Sequence, residues 1–336
     1  MPTIYDVAKK AGVSKSSVSR VINKRFEYMR DDTKKKILDA IEELNYTPNS
    51  LAQSLKTNRT KVIGIVLSDI ANPLWAELLN GVQEECMRSG YGLMVSSSNE
   101  KPELERENIA ILRNKKADGL IINNTGQNQD IYQDLVKEKY PFVFLDRTYQ
   151  DVQADSVLVN NILGAKKVMK HLINQGHRRI AIVLYPTENK SPRIERLEGY
   201  KQALAENQLP FSQELVKICA PIRGSGIQAA QELLSLPEPP TAIFSTHAFL
   251  NLELLAAAKK SGWHIPKDVS IIGYDDFPWV PFLAPPLSTV SQPAHKMGVQ
   301  AAALIINKIK RKREVKSKTI LLEPTLIVRE SCSPPQ

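Results

Sequence analysis

Apolar positions recur at helical spacing through the first 46 residues and predict three short helices. The first helix turns the apolar residues of 4–8 to one side. Gly12 supplies the backbone freedom that a tight reversal needs, and Ser14 stands where a helix N-cap should be. A second helix is predicted from Ser14 to Asn23, and a third from Asp32 to Leu44 covers the pair. The apolar positions of this third helix are Ile37, Leu38, Ala40, Ile41 and Leu44. The pattern is typical of a helix-turn-helix.

The outward face of the second helix carries small hydroxyls and long cations. Its members are Lys15, Ser16, Ser17, Ser19 and Arg20. These groups hydrogen-bond phosphates and base edges in DNA complexes. A small three-helix domain with a solvated, charged face is the alternative interpretation. The hydroxyl-rich face, the Gly turn and Arg20 together favour a DNA-binding headpiece over residues 1–46.

A short hinge is predicted after the headpiece. Pro48 followed by Asn49 indicates that one helix ends and another begins. The second helix would have about two turns, from Asn49 to Lys56, within a linker of residues 47–60. A helix this short is marginal in water on its own. We therefore expect it to form only when it packs against a partner or against DNA.

From Lys61 onward, apolar runs alternate with amphipathic stretches. The predicted strands cover 62–68, 92–97, 119–123, 142–146, 156–160, 179–185, 242–245 and 269–275. Strand–helix alternation with buried apolar strands predicts an α/β fold of parallel sheets with helices on both faces. We divide it into two doubly wound domains, residues 61–160 plus about 291–318 and residues 161–290 plus about 319–330. A last strand is predicted from Thr319 to Val328.

The carboxyl ends of the predicted strands are polar throughout. They read Ser68-Asp69, Ser96 to Asn99, Asn123-Asn124, Asp146-Arg147, Asn160-Asn161, Ser245-Thr246 and Asp275-Asp276. Ligands of open α/β sheets bind beyond these ends. A polar small molecule in the cleft between the two domains is therefore expected.

Charge and cysteine content narrow the class of protein. The net charge of +9 and the pI near 9.3 suit a polyanionic partner, and residues 1–60 hold twelve Lys or Arg against seven Asp or Glu. The basic run of residues 308–318 is interpreted as a solvated loop and not as a second DNA site, because nothing hydroxyl-rich or aromatic accompanies it. Three distant cysteines, Cys86, Cys219 and Cys332, offer no metal or disulfide spacing and fit a reducing cytoplasm. With neither a signal peptide nor an apolar run of membrane-spanning length, we expect a cytoplasmic protein without a membrane partner.

Over nearly its whole length the chain closely resembles the LacI–GalR family of bacterial transcription regulators. The most specific segments are IYDVAKKAGVSKSSVSRVIN, ELNYTPNSLAQSL, GLIIN, GHRRIA, RLEGY, IPKDVSIIGYDD and PLSTVSQP. The resemblance implies a homodimer that binds a pseudo-palindromic, double-stranded operator. It also implies a periplasmic-binding-protein-like core that senses a small effector.

The resemblance assigns DNA-binding roles to the headpiece and the hinge. Lys15 and Ser16 would select the base sequence, and Arg20 would contact the bases. Leu55 would be the hinge leucine that wedges into a minor-groove step, although it could instead pack within its own short helix. Further DNA contacts are implied for Ser14, Ser17, Ser19, Asn23 and Asn49.

In the core, the resemblance assigns effector contacts to five residues. They are Trp75, Asn123, Asp146, Arg196 and Asp275. Trp75 offers a flat apolar face to a ring, while the Asp and Arg side chains can hold hydroxyls; each could instead be structural. At two places this sequence departs from the usual sequence of the family, and both places affect which effector would bind. Thr246 and His247 stand where many members carry an acidic pair, and Asn-Pro-Leu-Trp at 72–75 replaces the usual Asn-Pro-Phe-Phe.

Four cations fall at or near the same predicted strand ends or in the adjoining loop. They are Arg147, Lys190, Arg193 and Arg196. Forked guanidinium groups match carboxylate and phosphate oxygens, so this cluster favours an acidic group on the effector. Ordinary surface charge on loops is the alternative interpretation.

The residues predict a sequence-specific DNA-binding protein that binds a small polar molecule, and the resemblance implies a transcription regulator, a repressor controlled by a small sugar-derived effector that could be a sugar acid. The alternative is a corepressor-type or global regulator on the same fold. An enzyme is not expected, because no nucleophile-elbow, zinc-protease, P-loop or dinucleotide motif stands in a suitable context. No metal or cofactor is expected either. The headpiece and the missing signal peptide argue against an extracytoplasmic sugar-binding protein.

Overall fold

The computed structural model describes residues 2–23, 26–27, 29–47, 59–149, 151–310 and 316–336. They form two compact units, Met1–Lys61 and Val62–Gln336. The predicted hinge helix, with Asn49 and Leu55, lies outside the described residues. None of the helices in the described ranges combines the length and the apolar composition that a bilayer crossing requires.

The first unit contains the predicted helix-turn-helix. Its helices are α1 (Ile4–Ala11), α2 (Lys15–Ile22) and α3 (Asp31–Glu43). Gly12 ends α1 in the left-handed conformation with φ 66°, and the Ser14 side chain accepts a hydrogen bond from the amide of Ser17 to cap α2. The buried core consists of Val7, Ala8, Ala11, Val18, Val21, Ile37 and Ala40.

One detail of the predicted headpiece core was wrong. Leu38 is 46% exposed, whereas the neighbouring Ile37 is fully buried. Successive helical residues point about 100° apart. Helix α3 therefore buries Ile37 and Ala40 on one face and points Leu38 towards solvent.

The second unit is built from twelve strands and eight helices among its described residues, and their order alternates as predicted. The strands are β1 (Val62–Leu67), β2 (Gly92–Ser97), β3 (Gly119–Ile122), β4 (Phe142–Leu145), β5 (Asp155–Val159), β6 (Ile180–Leu184), β7 (Val216–Ile218), β8 (Ala242–Ser245), β9 (Ser270–Tyr274), β10 (Ser288–Ser291), β11 (Thr319–Leu322) and β12 (Thr325–Ile327). The helices are α4 (Leu74–Arg88), α5 (Pro102–Asn114), α6 (Gln129–Lys137), α7 (Asn161–Asn174), α8 (Ser191–Glu206), α9 (Ser225–Leu234), α10 (Ala248–Ser261) and α11 (Ala294–Lys310).

These strands form two six-stranded sheets with corresponding orders. The first is β11-β5-β4-β3-β1-β2 and the second is β12-β10-β9-β8-β6-β7. Every pairing is parallel except that of β10 with β12. The central strands are buried almost continuously because helices cover both faces. We call the part built on the first sheet the N-half and the part built on the second the C-half. The predicted parallel-sheet architecture is confirmed.

The prediction of a single last strand from Thr319 to Val328, assigned wholly to the C-half, was wrong. β11 pairs with β5 in the N-half, and β12 pairs with β10 in the C-half. Pro324 stands between them and has no backbone amide for a sheet, which separates the two strands. Sequence reasoning also missed β7 and β10, which are short and lack a long apolar run.

Candidate DNA-recognition helix and ligand cleft

The exposed face of α2 carries the polar residues expected to contact DNA. Ser14, Lys15, Ser16, Arg20 and Asn23 are exposed, and Ser17 and Ser19 are half-buried. The amide of Asn23 donates to the backbone oxygen of Ser19 at 2.7 Å, so it also closes the end of the helix. Lys15, Ser16, Ser19 and Arg20 share one face of α2, because Val18 and Val21 are buried on the other.

An aromatic residue that sequence reasoning missed joins this face. Tyr5 is 64% exposed on α1, and Lys15 Nζ donates to its hydroxyl at 3.0 Å and lies 4.3 Å from its ring centroid. The signal was available, because Tyr5 directly follows the apolar Ile4 at the start of α1. Tyr5 therefore holds Lys15 in place on the proposed DNA-reading surface.

In the second unit, a cleft of about 220 Å³ opens between the carboxyl ends of the two sheets. It is lined by Ser68, Asp69, Asn72, Leu74, Trp75, Glu100, Asp146, Arg147, Tyr185, Pro192, Arg193, Arg196, Pro221, His247, Phe249, Asp275 and Gln292. Its volume lies below the roughly 300–1,000 Å³ of sites for drug-sized ligands. The cleft therefore fits a small polar molecule.

Arg196 on α8 is a buried cation of the cleft that neighbouring side chains hold in place. Nε donates to Asn161 Oδ1 at 2.9 Å, Nη1 donates to the backbone oxygen of Thr246 at 2.6 Å, and the guanidinium lies 3.6 Å from the ring centroid of Tyr274. Only 6% of Arg196 is exposed. Its position is therefore fixed by the protein before any ligand arrives.

Two buried carboxylates line the cleft close to this guanidinium, one from each half. Burial raises the pKa of Asp146, against the opposing effect of Arg147 and Arg196. Burial likewise raises the pKa of Asp275, against Arg196 and a hydrogen bond from Gln292 Nε2 at 2.6 Å. Among the described residues, Oε1 of the same Gln292 amide has no hydrogen-bond partner. The cleft thus combines fixed donors with fixed acceptors.

Asn123 does not line the cleft formed by the described residues, although the sequence predicted an effector contact there. It is fully buried, and its amide donates to the backbone oxygen of Leu145 at 3.0 Å and to Asp146 Oδ2 at 3.3 Å. Its own oxygen accepts from the Ser68 amide. Asn123 therefore orients Asp146 and ties the ends of β1, β3 and β4 together.

Aromatic side chains form the apolar part of the cleft. Trp75 lies at the start of α4, as predicted, and Tyr185 and Phe249 were missed. His247, also missed as a contact, packs edge-on against Tyr185. Its Nδ1 accepts from the Phe249 amide at 3.2 Å, which leaves the proton of a neutral ring on Nε2. Burial, and then the nearby arginines, lower the pKa of His247 to about 3, so it stays neutral near pH 7.

The three remaining predicted cations converge on Glu100, which sequence reasoning also missed. Arg147 and Arg193 line the cleft; Lys190 lies outside its lining and contacts Glu100 from the C-half. Glu100 could have been anticipated, because it comes one residue after the polar end of β2. No group of three or more His, Cys, Asp or Glu residues in the described part of the chain has a metal-binding arrangement.

Comparison with known proteins identifies the two units. Residues 3–49 match the family described as bacterial regulatory proteins, lacI family. Residues 60–326 match the family described as periplasmic binding proteins and sugar binding domain of LacI family.

Whole-length relatives agree with these matches. A probable HTH-type transcriptional regulator, EndR of Paenibacillus polymyxa, is 36% identical, and the alignment covers 98% of both chains. The HTH-type transcriptional regulator KdgR of Bacillus subtilis (strain 168) is 34% identical over 98% of this chain and 97% of its own. The lac repressor dimer bound to operator and the anti-inducer ONPF superposes with a TM-score of 0.86 at 27% identity, over 99% of both chains. The chain belongs to the LacI family of bacterial regulatory proteins, whose members are DNA-binding transcriptional regulators and not enzymes.

Proposed function

We propose that this protein is a transcriptional repressor whose homodimer binds operator DNA through α2. A small sugar-derived effector in the cleft controls its affinity for the operator. The observation that carries this proposal is the buried guanidinium of Arg196. It is close enough to Asp146 and Asp275 to influence both carboxyl groups, yet it forms no ion pair within 4.0 Å with any carboxylate of the described residues.

A polyhydroxylated ligand fits this arrangement of charges. A sugar hydroxyl donates to one group and accepts from another, so adjacent hydroxyls can bridge Arg196 to either carboxylate. Trp75 and Tyr185 supply the flat apolar surfaces that a sugar ring covers. The size of the cleft favours a single sugar unit.

The remaining cations favour an acidic group on this sugar. Arg147, Lys190 and Arg193 face the carboxylate of Glu100, and Arg147 Nε also lies 4.0 Å from Asp146 Oδ2, so three cations stand against two carboxylates at this end of the cleft. A ligand carboxylate would reduce that imbalance and match the guanidinium geometry. We therefore propose a sugar acid as the effector class.

Ligand binding would change the affinity for operator DNA by changing how far the cleft closes. Asp146 belongs to the N-half, whereas Arg196 and Asp275 belong to the C-half. A ligand that contacts all three stabilises one closure angle of the second unit. In a homodimer, that angle would set the spacing of the two headpieces, so operator and effector affinities must be coupled by the same factor in both directions.

An exposed apolar surface of the C-half supports the homodimer. Ile222, Phe249, Leu252 and Trp279 are between 37% and 68% exposed, and adjoining shallow pockets connect them. Contiguous apolar surface of this kind marks association sites. The similar lac repressor structure is itself a dimer. We propose a second copy of this chain as the partner that covers the surface.

Calorimetry on the full-length protein tests the effector proposal. A panel of sugars, sugar acids and sugar phosphates is titrated, and operator affinity is then measured with and without each ligand that binds. We expect at least one sugar derivative to bind and to weaken operator binding. A ligand that strengthens operator binding would identify a corepressor-dependent regulator, and the absence of binding across the panel would contradict a sugar-derived effector.

A further inference from the structure

The carboxylate of Glu100 is surrounded by three cations. Arg147 Nη2 lies 2.6 Å from Oε1 and Nη1 lies 3.0 Å from Oε2, so this arginine grips both oxygens. Lys190 Nζ lies 2.6 Å from Oε2, and Arg193 Nη2 lies 3.9 Å from Oε1. Burial would raise the pKa of Glu100, but Arg147 and Lys190 outweigh burial and lower it to about 2.

This cluster joins the two halves of the second unit. Glu100 and Arg147 follow β2 and β4 in the N-half, whereas Lys190 and Arg193 lie at the start of α8 in the C-half. Lys190 also donates to the backbone oxygen of Thr125 in the N-half. Glu100 lines the cleft, so the site its carboxylate occupies is open to a ligand.

Building on the proposed function, we propose that Glu100 determines the charge specificity of the cleft. Its carboxylate occupies the place that the acidic group of an effector takes on Arg147, Lys190 and Arg193. An anionic ligand must compete with this resident carboxylate, whereas a neutral sugar has no group for the site and does not.

The backbone around Glu100 is suited to such an exchange. Asn99 and Glu100 lie in the left-handed region, with φ 48° and 58°, where non-glycine residues are strained. The ion pairs of Glu100 help to hold this conformation. A competing anion that takes over the cations would free Glu100 and would itself connect Arg147 of the N-half to Lys190 and Arg193 of the C-half.

The test uses inorganic phosphate and gluconate as probes, titrated calorimetrically into full-length protein at constant ionic strength. Glu100→Gln keeps the size of the side chain but removes the carboxylate that the three cations share; Arg147 keeps only its longer contact with Asp146 at 4.0 Å. We expect it to bind both anions at least tenfold more tightly than the wild type. Glu107→Gln, an exposed residue on α5, changes the net charge equally and should leave both affinities unchanged.

A second substitution localises the effect. Adding Arg193→Met to Glu100→Gln should remove most of the gained affinity for phosphate. Circular dichroism checks that each variant is folded. If Glu100→Gln does not fold, Glu100→Asp, which retains the charge but shortens the reach, should give a smaller gain. Anion affinities equal to those of the wild type in a folded Glu100 variant would overturn the proposal.

The sugar panel separates this inference from the proposed function. Tighter anion binding by Glu100→Gln, with no sugar bound by the wild type, would support the role of Glu100 and contradict a sugar effector. A sugar acid that binds the wild type and Glu100→Gln equally would leave the effector proposal standing and remove this one.

Discussion

Asp146 and Asp275 occupy equivalent positions in the two sheets and share an uncommon backbone conformation. Each directly follows the third strand in its sheet order, β4 or β9, with φ 63° and 75° respectively. The amide of Asp146 donates to Val157 of β5, and that of Asp275 donates to Val290 of β10, at 2.8 and 2.9 Å. Left-handed aspartates are unusual and concentrate at functional sites. The paired geometry aims one carboxylate from each half towards the same cleft.

Asp275→Asn tests the contribution of this carboxylate to effector binding. Asn tolerates the left-handed conformation, so the backbone should be retained. Loss of a charge-assisted hydrogen bond costs about 1.5–3 kcal/mol, so we expect a roughly 10- to 150-fold weaker effector affinity in calorimetry. Asp276→Asn is the matched control, since Asp276 pairs with Arg329 and does not line the cleft of the described residues. Equal losses in both variants would contradict a specific contact at Asp275.

The raised pKa of Asp275 predicts that the same variant is more stable than the wild type. A carboxyl whose folded pKa is raised holds its proton more tightly when folded, so stability falls as pH rises from the ordinary pKa to the folded one. Asn carries no such charge. We therefore expect a higher free energy of unfolding for Asp275→Asn at neutral pH and a smaller difference at pH 4, measured by urea denaturation. A destabilised variant at neutral pH would be the contrary result.

Effector affinity should weaken on mild acidification. The pKa values of Asp146 and Asp275 are raised above the ordinary 3.8, so protonation begins above the usual pH range of an aspartate. Glu100, with a pKa of about 2, stays ionised there, and His247, with a pKa of about 3, stays neutral. Titrations between pH 7 and pH 4.5 should show a progressive loss of affinity that is smaller in Asp275→Asn. A flat profile would argue against ionised carboxylates as ligand contacts.

Removal of a cation that faces Glu100 should weaken the binding of acidic ligands more than that of neutral ligands. Arg193→Ala and Lys190→Ala are expected to weaken a sugar acid at least tenfold more than the neutral sugar of equal size, because only the acid uses these charges. Lys217→Ala serves as the control, since Lys217 pairs with Glu232 and neither residue lines the cleft of the described residues. Similar losses for both ligands would favour a merely structural role for the two cations.

Gly126→Ala should impair closure of the cleft. Gly126 has φ 87°, and a Cβ there would lie 2.3 Å from the backbone oxygen of Asn189 in the opposite half. The halves must move apart to accommodate it, so we expect weaker effector binding. Gly224→Ala has the same kind of backbone strain, with φ 93°, but nothing within 4 Å of the added Cβ. This control should lower the stability of the protein but leave its effector affinity unchanged. Equal effector affinities in the two alanine variants would contradict a closure contact at Gly126.

Arg20→Ala tests the recognition helix. A good bidentate base contact is worth about 1–3 kcal/mol, so operator affinity should fall by that amount in fluorescence anisotropy. Changes at Lys15 and Ser16 should instead alter which operator is preferred. Lys35→Ala on α3 is a control with the same loss of charge. Operator binding unaffected by Arg20→Ala would rule out the proposed assignment.

Local patterns were sufficient for most of the helices and strands and for much of the candidate site. The helix-turn-helix is visible in residues 4–22 because its caps, its Gly turn and its apolar face are all set by neighbours in the chain. Asp146 and Asp275 stand at strand ends that are polar in the sequence itself. Leu38 and the division of residues 319–328 into two strands depend on packing and pairing partners far away in the chain, and there the sequence reasoning failed.

The sequence by itself determined most of the helices and strands, the parallel sheets and the polar rim where a ligand would bind, because periodicity and strand ends are local properties. The short strands β7 and β10 were the exceptions, since they lack a long apolar run. Tertiary structure alone decided how the charges pair. Glu100 and Lys190 are 90 positions apart, yet their side chains lie 2.6 Å from each other. Asn123, by contrast, faces Asp146 from within the core and not from the cleft. The two halves must close on one another before such a cation and carboxylate can pair. No local pattern in the sequence encodes the distance between two side chains that are so far apart along the chain.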